Sequence, residues 1–285
     1  MKPFSLDIRG NLKTYGRPAV MGIINATPDS FYSRSRVAAA DEAALRAAEM
    51  VAEGADFIDI GAYSSRPGAA AVSEKEEAER LRPAVEAVRH SIGPGIPISV
   101  DTFRASVAYK AIDKWGADIV NDISAGMLDG NMFDTVADLR VPYIIMHMRG
   151  TPETMQTLTE YGSITCDVMR ELGERLEILE QKGVCDVIVD PGFGFAKTLE
   201  QNYRLMAELK EFRLLRRPVL VGISRKSMLT RLLGIQAGDA MNATTALNTI
   251  ALMNGADILR VHDVRAAVEA VEIYSKLCEC AGSDE

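Results

Sequence analysis

Short apolar runs recur along the chain at fairly even intervals, with segments of helical periodicity between them. The runs are rich in valine and isoleucine and apolar on both faces, which is typical of strands buried in a parallel sheet. Several intervening segments, such as DEAALRAAEMVAEGA (41–55), end in Gly-Ala just before an Asp and the next run, a helix stop followed by a strand start. The predicted strands lie at 19–26, 57–62, 98–102, 119–124, 143–148, 187–192, 219–224 and 258–263.

Eight such units over about 250 residues predict an α/β protein with a (β/α)8 TIM barrel. An open doubly wound sheet is the alternative, but the GxGxxG turn that would favour it after the first strand is missing. FSLDIRG and NLKTYG, within 3–17, are predicted to form a hairpin that closes the barrel floor. No Pro/Gly/Ser-rich linker interrupts the chain, so we expect a single domain over 1–285 with a frayed tail at 278–285.

Composition and charge exclude some classes of protein. Apolar residues make up 47% of the chain and charged residues 25%, which is ordinary for a soluble globular protein. The net charge is −8, and no dense run of Lys and Arg is present, which argues against a nucleic-acid partner. A local basic cluster in such an acidic protein would still bind a small anion.

The chain also lacks the signals of a membrane or secreted protein. Its first residues, MKPFSLDIRGNLKTYG, have no apolar core of signal-peptide length, and no stretch approaches the roughly 18 apolar residues of a membrane span. Four cysteines in a chain of this length do not form a disulfide framework. We therefore expect a cytoplasmic protein with reduced thiols and no membrane partner.

Polar side chains stand at the carboxyl end of every predicted strand, which is where barrel enzymes carry their chemistry. A single Asp or Asn in such a position commonly caps the next helix, but a complete ring facing one mouth indicates a site. The ring consists of Asn25, Asp59, Asp101, Asn121, Asp122, His147, Asp190, Lys226, Arg260 and His262.

The charges in this ring point to a ligand of mixed character. Asp101, Asn121 and Asp190 offer acceptors that suit the N–H groups of a flat amino-heterocycle. The donors that suit phosphate oxygens are Arg66, Arg260 and His262. Two loops without helical pattern, NATPDSFYSRSRV (25–37) and SSRPGAAAVSEKEE (64–77), are predicted to close over such a substrate.

Eight segments together resemble the dihydropteroate synthases, a pterin-binding enzyme family, in that family's order and spacing. The resemblance spans about residues 19 to 270, and the set is highly specific although each member alone is weak. The segments are MGIINATPDSF (21–31), SSRPGAAAVS (64–73), SVDT (99–102), NDIS (121–124), MHMRGTP (146–152), DPGFGF (190–195), GISRKSM (222–228) and RVHDV (260–264).

The resemblance implies a transferase of folate biosynthesis, and with it a sulfonamide target. Its reaction would join 6-hydroxymethyl-7,8-dihydropterin diphosphate to p-aminobenzoate, giving 7,8-dihydropteroate and pyrophosphate. The pterin would ionise to a cation before the arylamine attacks, so no covalent nucleophile is needed. Mg2+ and the cationic side chains would stabilise the departing pyrophosphate. The family commonly forms homodimers through helices near the C-terminal end.

The resemblance also assigns roles to individual residues. Catalysis would fall to Asp101, Lys226, Arg260 and His262. The pterin would be held by Asp101, Asn121, Met146, Asp190, Phe195 and Lys226. The diphosphate would contact Asn25, Arg66, Arg260 and His262, with Asn25 also meeting Mg2+. The p-aminobenzoate would be framed by Phe31, Ser65, Arg66, Pro67, Lys226 and Ser227.

Adjacent cations at the start of a helix are locally unfavourable, since the helix dipole favours anions there. We interpret Lys226 as a donor to the pterin carbonyl, compensated by Asp residues across the barrel mouth. Arg225 is expected to pair with a structural acid behind the site and to take no part in catalysis. The helix that follows should end at Gly234.

The chain departs from the family pattern in both loops. After DSF it reads YSRSRV instead of Ser-Asp-Gly-Gly, and Tyr63-Ser64-Ser65 replaces Glu-Ser-Thr before Arg66-Pro67. Two other interpretations are a pterin-dependent methyltransferase barrel and a non-catalytic pterin-binding relative. The methyltransferase would not need the diphosphate contacts Arg260 and His262. The non-catalytic relative would not need the complete ring of polar residues at the strand ends.

Overall fold

A computed structural model of the chain describes residues 3–26, 33–63 and 72–281. It contains a two-stranded hairpin followed by eight parallel strands. The hairpin strands are β1 (Phe4–Ile8) and β2 (Asn11–Tyr15). The parallel strands are β3 (Ala19–Asn25), β4 (Phe57–Gly61), β5 (Ile98–Asp101), β6 (Ile119–Asp122), β7 (Tyr143–Met146), β8 (Val187–Asp190), β9 (Leu220–Val221) and β10 (Ile258–Val261).

The α-helices lie between and after these strands, as the periodicity predicts. They are α1 (Ser33–Ala52), α2 (Glu74–Ile92), α3 (Ala105–Lys110), α4 (Met132–Leu139), α5 (Ile164–Gln181), α6 (Leu199–Ala207), α7 (Ser227–Leu233), α8 (Met241–Met253) and α9 (Val264–Ala281). Helix α3 continues into a π-helical turn, Ala111–Trp115. Among the described residues, no helix has the length and apolarity to cross a membrane.

The parallel strands close into a barrel. Each strand pairs with its neighbour in sequence, β10 pairs with both β3 and β9, and a bridge between Val189 and Val219 joins β8 to β9. Val189 N donates to Pro218 O at 2.9 Å across this seam. The predicted (β/α)8 barrel is therefore confirmed. Strand β9 is shorter than the predicted 219–224 because the chain leaves the sheet before Arg225, whose φ is +58°.

The N-terminal hairpin packs beneath the barrel, as the sequence predicts. Leu6 and Tyr15 are buried, and they share an apolar cluster with inward side chains from the amino ends of the strands, including Phe57 and Ile144. Tyr15 lies against Phe57 with ring centroids 4.9 Å apart. This cluster fills the barrel floor, so the open end of the barrel is the one at the carboxyl ends of the strands.

The C-terminal segment is more ordered than predicted. Helix α9 runs to Ala281, so the chain at Cys278 and Cys280 is helical where we expected a frayed tail. The reason is that buried apolar side chains, Val264 and Val271 among them, pack one face of the helix on the barrel. Residues 282–285 lie outside the described part of the chain.

Candidate active site

A cavity of about 560 Å³ opens at the carboxyl ends of the barrel strands. Most of the side chains predicted to form the site line it, from seven strands or the loops after them: Asn25, Asp101, Asn121, Met146, Asp190, Phe195, Lys226, Ser227, Arg260 and His262. Four other predicted residues, Phe31, Ser65, Arg66 and Pro67, lie outside the described residues. The convergence follows from parallel strands, which all end at the same rim of the barrel.

Arg260 of β10 occupies the centre of the site between two carboxylates. Its Nε donates to Asp59 Oδ2 at 2.7 Å, and its Nη2 donates to Asp101 Oδ2 at 2.8 Å. Asn121 Nδ2 also donates to Asp59 Oδ2, at 3.2 Å. One guanidinium thus faces two carboxylates, which leaves an excess negative charge at the cavity wall when both are ionised.

Burial sets the protonation behaviour of this wall. It raises the pKa of Asp101 to about 7, with Arg260 opposing the rise and Asp59 adding to it. Burial likewise raises the pKa of Asp190, against the pull of the nearby Lys226. Desolvation destabilises the ionised form of Asp101 and of Asp190, so a positively charged ligand beside them would stabilise that form and bind favourably.

Lys226 contributes a positive charge to the same cavity. Its Nζ donates to Phe193 O at 2.6 Å and lies 4.7 Å from the centre of the Phe195 ring. Burial lowers the pKa of Lys226 to about 8, and the carboxylate of Asp190 opposes that shift. An ammonium in this position can donate to a ligand carbonyl in the cavity.

The neighbouring cation has a different partner. Arg225 Nη2 and Nε donate to Asp263 Oδ1 and Oδ2 at 2.6 and 3.1 Å, a bidentate pair. The expectation that Arg225 pairs with an acid is confirmed, but Arg225 also lines the cavity and does not lie behind the site as predicted. The helix after it, α7, begins at Ser227 and ends at Gly234, whose φ of +66° is the left-handed conformation that glycine favours.

His262 and the apolar pocket complete the cavity. The hydroxyl of Ser224 contacts His262 Nδ1 at 2.9 Å and accepts from the backbone N–H of the same residue at 3.2 Å, which orients the imidazole. Met146 and Phe195 belong to a buried apolar cluster with Met148 and Met155. This cluster provides an apolar surface next to the polar groups, on which an aromatic heterocycle can pack.

Three members of the predicted ring, Asp59, Asp122 and His147, do not line the cavity. Asp59 lies beneath Arg260 and is fully buried. Asp122 accepts hydrogen bonds from the turn after β6 and from Tyr143 OH at 2.6 Å. His147 is buried behind the site. Side chains alternate across a strand, so Asp122 and His147 point away where Asn121 and Met146 point in.

Sequence reasoning also missed residues that line the cavity. Tyr63, two residues after β4, is half-buried there and packs edge-on against Phe103 at 5.3 Å between centroids. Met155 lines the cavity from the segment after β7. The departure at Tyr63 from the family's glutamate was a signal that could have found the first, whereas nothing distinguishes Met155 among the 13 methionines.

The described residues offer little direct ligation for a metal. None of their His, Cys, Asp and Glu side chains forms a group of three or more that could hold an ion. Asn25, exposed at the end of β3, lines the cavity and carries an amide oxygen. Mg2+ usually keeps several waters and takes further ligands from substrate phosphates. A single amide oxygen beside a bound diphosphate fits this coordination preference of Mg2+.

Comparisons with known proteins agree with this geometry. The sequence profile of the family described as pterin binding enzyme matches residues 21–262. The chain is 42% identical to the dihydropteroate synthase of Synechocystis, over 96% of each protein. It is 44% identical to an Arabidopsis thaliana folate synthesis bifunctional protein, where 94% of the chain spans only 56% of that longer protein.

Solved structures show the same likeness. A Yersinia pestis dihydropteroate synthase in a sulfonamide drug complex superposes with a TM-score of 0.89 and is 39% identical, over 97% of this chain and all of that one. The Xanthomonas albilineans dihydropteroate synthase in complex with 7,8-dihydropteroate superposes with a TM-score of 0.83 at 34% identity, over 96% of this chain and 98% of the other.

Proposed function

The chain belongs to the pterin-binding enzyme family, and from that premise we propose that it acts in folate biosynthesis as a dihydropteroate synthase. It is a transferase that condenses 6-hydroxymethyl-7,8-dihydropterin diphosphate with p-aminobenzoate to 7,8-dihydropteroate and pyrophosphate. The observation that carries this conclusion is the gathering of the ring's acceptors and cations in one cavity. The cavity has room and donors for both halves of such a substrate.

The pterin is held by the acceptors of the inner cavity. Asp101, Asn121 and Asp190 accept from its N–H groups, and Lys226 donates to its carbonyl. Met146 and Phe195 pack on the two-ring system, and the Phe195 ring already stacks under the Lys226 ammonium. Support for this arrangement comes from the cavity lining and from the raised pKa of Asp101 and Asp190, since a bound N–H donor stabilises a carboxylate that burial destabilises.

The diphosphate lies toward Arg260 and His262, with Arg66 as a further donor from the loop after β4. Asn25 would hold Mg2+ next to the phosphate oxygens, where the ion supplies charge stabilisation for the leaving group. Arg260 already donates to two carboxylates, those of Asp59 and Asp101. Its chief role is therefore to link the part of the site that binds the pterin to the part that binds the diphosphate. His262 contributes an N–H whose direction Ser224 sets.

The reaction proceeds by ionisation. The bond between the pterin methylene and the diphosphate oxygen breaks, and pyrophosphate departs with the electron pair. The excess negative charge of Asp59 and Asp101 stabilises the pterin cation that forms. The p-aminobenzoate nitrogen attacks the methylene, forms the new C–N bond and releases a proton to solvent. Lys226 and Ser227, with Phe31, Ser65, Arg66 and Pro67 from the two loops, frame this second substrate.

The assembly and location of the protein are further parts of the proposal. Large apolar side chains are exposed on α7, α8 and α9: Leu232, Leu233, Met241, Ile250, Met253, Ile273 and Leu277. Such a patch supports a homodimer formed through these helices. None of the four cysteines, all within the described residues, forms a disulfide, which supports a reducing, cytoplasmic location.

One assay tests the function. Purified protein is incubated with the pterin diphosphate, labelled p-aminobenzoate and Mg2+, and labelled dihydropteroate is measured. Product formation that requires both substrates supports the proposal, and a sulfonamide should compete with p-aminobenzoate. Absence of product under conditions in which the Escherichia coli relative, 40% identical to this chain, is active would overturn it.

A further inference from the structure

The loop after β8, residues 191–197, has an unusual backbone. Gly192 and Gly194 have φ values of +71° and +82°, and Ala196, which carries a side chain, has a φ of +49°. A Cβ added at Gly192 would lie 2.0 Å from the carbonyl oxygen of His147, so the loop packs directly on the end of β7. Backbone of this kind persists only where its surroundings hold it.

Five side chains hold the backbone polar groups of this loop. Gly192 N donates to Asp190 Oδ1 at 2.7 Å, and Gly194 N donates to Asn202 Oδ1 at 2.7 Å. Tyr161 OH donates to the carbonyl of Ala196 at 2.9 Å. The remaining contacts come from two lysines, Lys226 on the cavity side and Lys197 from behind.

Lys197 is a buried ammonium whose three hydrogens have three acceptors. Its Nζ lies 2.9 Å from Gly192 O, 3.0 Å from Phe195 O and 3.1 Å from His147 Nδ1. The side chain is 5% exposed and does not line the cavity. Burial lowers the pKa of Lys197 to about 7, with Asp190 opposing the shift, so the acceptors offset a real cost of burying charge.

His147 is arranged to serve as the third acceptor. Burial lowers its pKa to about 4, so the ring is neutral, and Nδ1 accepts from Lys197. Nε2 therefore carries the proton and donates to Glu171 Oε2 at 3.0 Å. Glu171 in turn accepts from Arg149. This series of hydrogen bonds, from Arg149 through Glu171 and His147 to Lys197, selects one tautomer of His147. It directs the acceptor Nδ1 of that ring toward the loop.

The loop delivers two groups to the pterin cavity. The carbonyl of Phe193 accepts from Lys226, and the ring of Phe195 lies under the same ammonium. Phe193 stands between Gly192 and Phe195, the two residues whose carbonyls Lys197 holds. A shift of either carbonyl would therefore move both contacts of Lys226 at once.

We propose that Lys197 is a positioning residue: by holding the Gly192 and Phe195 carbonyls, with His147 as its third acceptor, it places Phe195 and Lys226 for pterin binding. This inference rests on the proposed function. Lys197 touches neither substrate, so its effect should appear in the affinity for the pterin and hardly in the chemical step.

Lys197→Met tests the ammonium, with Lys210→Met, the same change at an exposed lysine, as the matched control. We expect the KM for pterin diphosphate to rise by about tenfold or more, while kcat and the KM for p-aminobenzoate change by less than about threefold. The control should match wild type. A pterin KM within twofold, roughly, of wild type in folded Lys197→Met protein would overturn the proposal.

A second pair of variants decides the question even if Lys197→Met does not fold. Asn and Leu have nearly the same shape, but only Asn can accept from Lys197, and both lose the contact with Glu171. His147→Leu should therefore raise the pterin KM at least about fivefold above that of His147→Asn, with similar unfolding temperatures. Equal pterin KM values in the two variants would contradict the proposal.

These outcomes remain separate from a failure of the proposed function. If wild-type protein makes no dihydropteroate, the function itself is wrong. If wild type is active and the variants keep its pterin KM, only the role of Lys197 is wrong. Thermal unfolding of every variant distinguishes lost positioning from a lost fold.

Discussion

Arg260 Nη2 and Asp101 Oδ2 lie 2.8 Å apart, and the same guanidinium also holds the buried Asp59. Strands β4, β5 and β10 each contribute one of the three groups, so the barrel assembles a charge cluster from positions 59, 101 and 260. A cation that develops in the cavity meets more carboxylate than guanidinium there. This imbalance underlies the first predictions.

Asp101→Asn should reduce kcat by about a hundredfold or more, because the cluster loses the charge that stabilises the pterin cation. The free energy of unfolding should change by less than about 1 kcal/mol, since a neutral amide costs less to bury and Arg260 keeps Asp59. Steady-state kinetics and chemical denaturation measure the two effects. A variant as active as wild type would remove the cation-stabilising role.

The pH profile of kcat/KM should be bell-shaped and narrow. Asp101, with a pKa of about 7, must be ionised, so activity falls as pH drops below that value. Lys226, with a pKa of about 8, must be protonated, so activity falls as pH rises above it. The residual activity of Asp101→Asn should lack the acidic limb. A flat profile from pH 5 to 10, roughly, would contradict these assignments.

Lys226→Ala should weaken pterin binding by about a hundredfold or more while the protein stays folded. The change removes the proposed donor to the pterin carbonyl and the cation over Phe195. Calorimetric titration with the pterin and a circular dichroism spectrum provide the two measurements. Unchanged affinity would show that the pterin lies elsewhere.

Arg225→Ala should lower the stability of the protein and leave pterin affinity nearly unchanged, the reverse of Lys226→Ala. Losing the bidentate pair with Asp263 should lower the free energy of unfolding by about 1 kcal/mol, because that pair is only partly buried. Pterin affinity should stay within about twofold of wild type. Together with Lys226→Ala this gives adjacent cations with separable roles, and a large loss of pterin affinity in Arg225→Ala would refute that separation.

The double variant Ile250→Glu, Met253→Glu should be monomeric. Both side chains are exposed on α8, next to α9, and charges there would repel across a symmetric interface. Light scattering after size-exclusion chromatography measures the mass, and two exposed apolar side chains on β2 and α3, changed in Leu12→Glu, Tyr109→Glu, serve as a surface control. A monomeric wild type, or a dimeric variant, would refute the proposed interface.

The alternation of strands and helices was readable because the strands are buried on both faces and the helices on one. Ile58, Val100 and Val120 are fully buried, so each strand appears in the sequence as a continuous apolar run. The hairpin was also predictable, although its strands are short, because Leu6 and Tyr15 alternate with polar neighbours. The helical end at Ala281 was not, since none of residues 275–281 is buried and so no apolar periodicity marks that part of the helix.

The sequence predicted most residues of the site, but it predicted less well the directions in which their side chains point. Strand ends identified Asp101, Asn121 and Asp190 as neighbours, and all three line the cavity. They did not show that His147 turns away, because a shift of one residue along a strand reverses the side chain. The exact end of each strand depends on tertiary contacts, which short apolar runs do not record.

The sequence by itself determined the barrel, the rim that carries the chemistry and the identity of most polar groups there, because hydrophobic periodicity and strand order depend on local pattern. Only the tertiary structure decided how those groups pair. Arg260 with Asp101, Arg225 with Asp263 and Lys197 with His147 join residues 159, 38 and 50 positions apart. Such pairings arise from distance and burial in the folded barrel, where desolvation turns a charged side chain into one that must find a partner.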